Sequence, residues 1–119
     1  HKMLHDDSIA ITATPVRVPV FRSHAESIMV ETADELDVEA VRKAINAFPG
    51  AQVQDNPAEF EYPMPLYTSE KDDVYVGRLR RDESNDKTFN MWVVGDQIRK
   101  GAALNTLQIA ETMIKNNWL

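Results

Sequence analysis

Hydrophobic and polar positions change their period several times along the chain, and each change marks an element. Ile9 to Val20 (IAITATPVRVPV) is crowded with β-branched residues and carries Pro15 and Pro19. That predicts an extended strand which is bulged, interrupted at the prolines, or at a sheet edge. Ser27 to Thr32 predicts a second, short, half-buried strand. Val38, Val41, Ile45 and Phe48 then recur at helical spacing. They predict a helix from an Asp37 cap to about Phe48, closed by Pro49-Gly50. Glu39 and Lys43 form an i,i+4 pair on its exposed side.

Ala51 to Gln54 predicts a short strand. Residues 55–71 hold Pro57, Pro63 and Pro65 among acids and aromatics, which predicts a long ordered loop. Val74 to Arg80 and Thr88 to Val94 both read as strands. The polar run Arg81 to Lys87 joins them as a hairpin with a longish loop. Gly95-Asp96-Gln97 breaks the second strand. From about Ala102 to Asn116 a stripe of Ala103, Leu107, Ala110 and Ile114 predicts a helix. The sum is an α+β fold: a mostly antiparallel mixed sheet of four or five strands, with helices packed on one face.

Composition narrows the function. The chain has 119 residues, the length of one small domain, so 1–119 is read as a single domain. It holds no cysteine, which excludes disulfides, zinc-thiolate sites and a thiol nucleophile of its own. No apolar run has the roughly 20 residues of a membrane span, so no membrane partner is expected. The lack of cysteine fits the cytoplasm.

The net charge of −6 is uneven. Residues 1–25 sum to +1 and residues 74–119 to +2, whereas residues 26–73 set twelve acids against three bases. Nucleic-acid binding normally needs a basic patch, and the net acidic total argues against it. The acidic middle reads as a solvated face.

Three clusters are candidates for chemistry. Arg17, Arg22 and His24 come first. Arginine can grip a carboxylate or phosphate with two parallel bonds, and histidine titrates near neutrality. Arg17 and His24 differ by seven positions, so in one flat strand they would face opposite ways. They share a site only if the chain bends between them, at Pro19 or at Arg22-Ser23. Gly95-Asp96-Gln97 with Arg99-Lys100-Gly101 is second, since glycine lets a backbone approach a ligand. Arg78, Arg80 and Arg81 are third. No metal-ligand spacing is present; His1 and His5 sit at an end that frays.

TATPVRVPVFRSHAESI (12–28), VGRLRRD (76–82) and GDQIRKGAALNTLQIAE (95–111) closely resemble, in order and spacing, blocks of the C-terminal domain of aspartate-β-semialdehyde dehydrogenases. The resemblance implies an enzyme that interconverts L-aspartyl 4-phosphate and L-aspartate 4-semialdehyde with NADP, on the route to lysine, threonine and methionine. In that family a Rossmann domain and a catalytic cysteine precede this region. The C-terminal domain resembles that of glyceraldehyde-3-phosphate dehydrogenase and forms a homodimer.

By the same resemblance His24 matches the acid/base, Arg17 the arginine that holds the substrate carboxylate, and Gln97 a residue that touches the cofactor. Pro15 departs from the cysteine of many members. The Rossmann glycines and the nucleophile have no counterpart here. The chain is therefore expected to be part of the C-terminal domain, inactive alone and prone to self-associate. The alternative is a free-standing, non-catalytic dimerisation domain of the same fold.

Overall fold

A computed structural model describes residues 1–118. Four strands form one mixed sheet: β1 (His24–Glu31), β2 (Ala51–Val53), β3 (Val74–Asp82) and β4 (Asn85–Gly95). Their spatial order is β1-β4-β3-β2. β4 lies antiparallel to both β1 and β3, and β2 runs parallel to β3.

The first helix, α1 (Val38–Ala47), starts where the pattern puts it. The Asp37 carboxylate accepts from Glu39 N–H at 3.0 Å and so satisfies one free donor of the first turn. Val38, Val41 and Ile45 pack onto the sheet around the buried Val76, Leu79 and Phe89. Phe48 leaves the stripe: its backbone is already extended as the C-cap, and its ring is exposed.

β3 alternates Val74, Val76, Arg78, Arg80 on one parity, which in a flat strand would turn both arginines into the core. A register shift between Gly77 and Arg80 corrects this. Arg78 adopts φ 54°, in the left-handed region, and the extra residue turns Leu79 inward instead. The Asp55 carboxylate, 2 % exposed, accepts from the N–H groups of Arg78 (2.8 Å) and Leu79 (3.1 Å). Arg42 of α1 closes on the same carboxylate at 2.9 Å. Gly77 is required here: an added Cβ would lie 2.4 Å from the carbonyl oxygen of Gln54.

Three expectations need correction. Ile9–Val20 forms no strand. Pro15 and Pro19 remove two backbone donors, no strand of the sheet pairs with the segment, and every residue of 1–21 is exposed. The hairpin loop is shorter than predicted. β3 and β4 run on through the polar residues to a two-residue turn, Glu83-Ser84, where Asp82 Oδ1 accepts from Ser84 N–H and Oγ. The loop 55–71 is not wholly irregular: a 3-10 turn (Pro57–Glu59) and α2 (Pro65–Thr68) each begin at a proline. After β4 a π-helical turn (Arg99–Ala103) leads into α3 (Leu104–Lys115), where Leu107 and Ile114 stand exposed.

Candidate functional site

β1 opens at His24, paired across the ladder with Gly95, the last residue of β4. Strand alternation puts His24 on the face of Val30, at the other end of the strand from the core. Its ring is exposed and makes no hydrogen bond or ion pair among the described residues.

The backbone just before His24 is held firmly. Ser23 is 3 % exposed and has φ 72°, a left-handed conformation that a non-glycine residue adopts only under constraint. Its N–H donates to Gln97 Oε1 at 2.8 Å. Its Oγ lies 3.2 Å from both Thr68 Oγ1 and Ser69 Oγ. Ser23 bends the chain at the Arg22-Ser23 junction, between Arg17 and His24.

Arg22, one residue earlier, is tied to the same loop. Its Nη2 meets Asp96 Oδ2 at 2.7 Å, and its Nη1 meets the exposed Glu70 at 3.0 Å. Its Nε is buried without a partner among the described residues. Asp96 is wholly buried, at 0 % exposure. Its Oδ2 also accepts from Glu70 N–H at 2.7 Å, and its Oδ1 from Ile98 N–H at 2.9 Å and Arg99 N–H at 3.4 Å. Burial opposes its charge, but these three N–H groups and then Arg22 outweigh it and hold the carboxyl below its ordinary value.

The three segments 22–24, 68–70 and 95–98 therefore form one polar knot with His24 on its rim. Gln97 lies in that knot, and its Nε2 donates to no group among the described residues. Arg17 lies seven residues back in the exposed N-terminal segment, without a polar contact among the described residues. His24 and Gln97 are thus brought together through Ser23; Arg17 and His24 make no contact. A cleft of about 460 Å³ opens beside the knot between Pro19, Phe21, Arg22, Leu66 and Glu70.

The remaining arginines serve the fold. Arg22 is no free anion binder, since both Nη atoms are paired. Arg81 pairs with Glu35 and Arg99 with Asp72. Arg78 lies 5.9 Å from the centre of the Tyr62 ring. Asp96 stood in the second candidate cluster, but its burial and its bonds to Arg22 and Glu70 were not read from the sequence, and Thr68 and Ser69 escaped it altogether. No periodicity marks a buried carboxylate in a loop; only the flanking Gly95 hinted at a tight connection.

Residues 1–100 match the semialdehyde dehydrogenase dimerisation domain. The chain is 48 % identical over 114 residues to the aspartate-semialdehyde dehydrogenase of Aquifex aeolicus, covering 96 % of this chain and 34 % of that protein. It is 40 % identical over 117 residues to the Bacillus subtilis enzyme of that name, covering 98 % and 34 %. Among solved structures, aspartate semialdehyde dehydrogenase II of Vibrio cholerae, in complex with ASA, superposes with a TM-score of 0.75 and 40 % identity over 83 % of this chain and 29 % of that one. A probable aspartate-semialdehyde dehydrogenase of Pseudomonas aeruginosa gives 0.72 and 34 %, over 82 % and 28 %. The chain thus spans about a third of the length of the curated relatives it matches.

Proposed function

This chain belongs to the semialdehyde dehydrogenase family through its dimerisation domain, and from that premise we propose that it supplies the acid/base and a substrate anchor to an aspartate-semialdehyde dehydrogenase. The reaction is the reductive dephosphorylation of L-aspartyl 4-phosphate to L-aspartate 4-semialdehyde, a step towards lysine, threonine and methionine. The observation that carries the reading is His24: an exposed, unpartnered imidazole at a strand end, on a backbone fixed by Ser23 and Gln97.

His24 is the proton carrier. An imidazole without a permanent partner can accept a proton from a thiol or hydroxyl and return it at neutral pH. Arg17 holds the substrate carboxylate, for which a planar fork suits a planar anion. Its exposed segment leaves the guanidinium without an acid partner among the described residues. The chain contains no cysteine, so a thiol nucleophile would come from elsewhere in the protein.

NADPH would supply the hydride when bound. The amide nitrogen of Gln97, not bonded among the described residues, is a donor suited to an amide or phosphate oxygen of that cofactor. The protein works as a homodimer through this domain. Apolar side chains left open on β1 and α3, Met29, Leu107 and Ile114, are consistent with a covering partner.

The reading is tested with the full-length protein that carries this chain. It should reduce NADP when given L-aspartate 4-semialdehyde and inorganic phosphate, and show no reduction without phosphate. Failure to turn over that aldehyde while other aldehydes react would overturn the substrate assignment.

A further inference from the structure

We infer that Asp96 is a positioning residue for His24, acting through Arg22 and Ser23. This rests on the acid/base role proposed for His24.

A general acid must meet its proton partner within hydrogen-bond distance. The His24 ring has no side-chain partner among the described residues to aim it, so its aim depends on where the backbone places Cα and Cβ. That backbone has two supports. On the C-terminal side is the ladder to β4, beginning at the His24–Gly95 pair. On the N-terminal side is the left-handed Ser23, which would relax without its bonds.

Asp96 is the centre of those bonds. Its Oδ2 joins Arg22 to the Glu70 N–H, and so joins the residues before His24 to the 68–70 segment. Its Oδ1 fixes the N–H groups of Ile98 and Arg99, which sets the loop that presents Gln97 to Ser23. The carboxylate is fully buried with all its bonds directed at these segments. Asp96 makes no contact with the His24 ring, so its influence is geometric. Loss of its charge frees Arg22, loosens the loop of Gln97, and lets Ser23 leave φ 72°.

A double-mutant cycle on the full-length enzyme separates positioning from a general structural role. Asp96→Asn alone should lower kcat roughly 10- to 100-fold, the scale of an ångström-sized misplacement, with the KM for the semialdehyde within about twofold. In the His24→Asn background the same substitution should cause no further loss, because there is no imidazole left to misplace. An equal loss in both backgrounds, or an unchanged kcat for Asp96→Asn alone, overturns the inference while leaving the role of His24 intact. A kcat unchanged by His24→Asn overturns the acid/base reading itself, and the inference with it. If Asp96→Asn fails to fold, Arg22→Gln removes the same link from the exposed side and must show the same non-additivity.

Discussion

The side-chain amide of Gln97 and the backbone of Ser23 meet at 2.8 Å, so the residue proposed to touch the cofactor also holds the residue that precedes the proposed acid/base. Gln97→Ala is therefore expected to affect two quantities. The KM for NADP should rise, because an amide donor is lost. The kcat should fall as well, because Ser23 N–H loses its acceptor. Steady-state kinetics with NADP varied at saturating aldehyde and phosphate checks this. A variant that changes neither would remove Gln97 from the site.

Arg17→Lys should weaken substrate binding with little change in turnover. Lysine keeps the charge but cannot form two parallel bonds to one carboxylate. The KM for the semialdehyde should rise about tenfold, as expected for one charge-assisted bond lost. An unchanged KM would count against the carboxylate role.

The depressed ionisation of Asp96 makes a signed statement about pH. Its folded value lies below the ordinary 3.8. Its contribution is therefore complete above about 3.8 and is lost as pH falls through the lower folded value. At neutral pH, Asp96→Asn should destabilise the domain by about 2 kcal/mol, the scale of bonds made to a buried charge. The difference from the wild type should shrink below pH 3.8. Chemical denaturation at a series of pH values measures it; a constant difference down to pH 2 would contradict the assignment.

The bulge in β3 can be tested separately from the chemistry. Gly77→Ala puts a Cβ against the Gln54 carbonyl and should cost about 1–3 kcal/mol through overpacking. Asp55→Ala should cost a similar amount, because the N–H groups of Arg78 and Leu79 lose their acceptor. Thermal unfolding of both variants checks this, and wild-type midpoints would refute the reading of the bulge.

What the sequence made legible follows from where its information is local. Asp37, Val41 and Pro49-Gly50 specify α1 within fourteen residues, and it forms where they say. The β3–β4 pairing was legible from alternation, but its turn was not. Side-chain bonds of Asp82 with Ser84 and of Asn85 with Lys87 let polar residues stay in the ladder. Ile9–Val20 has strand-like composition, yet a strand needs a neighbour, and composition does not say whether one exists. Val74-Tyr75-Val76-Gly77-Arg78-Leu79 changes its inward parity because Asp55, more than twenty residues away, caps the bulge.

The site divides the same way. Arg17, His24 and Gln97 stood in clusters that residue chemistry singled out, and their roles came from resemblance. The condition of a bend between Arg17 and His24 came from strand geometry; the chain does bend at Ser23, but Arg17 lies outside the strands of the sheet. The buried Asp96 and the Thr68–Ser69 hydroxyls depend on contacts between residues 26 to 74 positions apart. Such partners cannot be found by spacing along the chain.

The most direct test of the account is the turnover of His24→Asn in the full-length enzyme, at substrate and cofactor saturation. Asparagine keeps polarity and approximate size but cannot carry a proton near pH 7. The account predicts a kcat lowered by about 100-fold or more, with NADP binding retained. A kcat close to that of the wild type would contradict it.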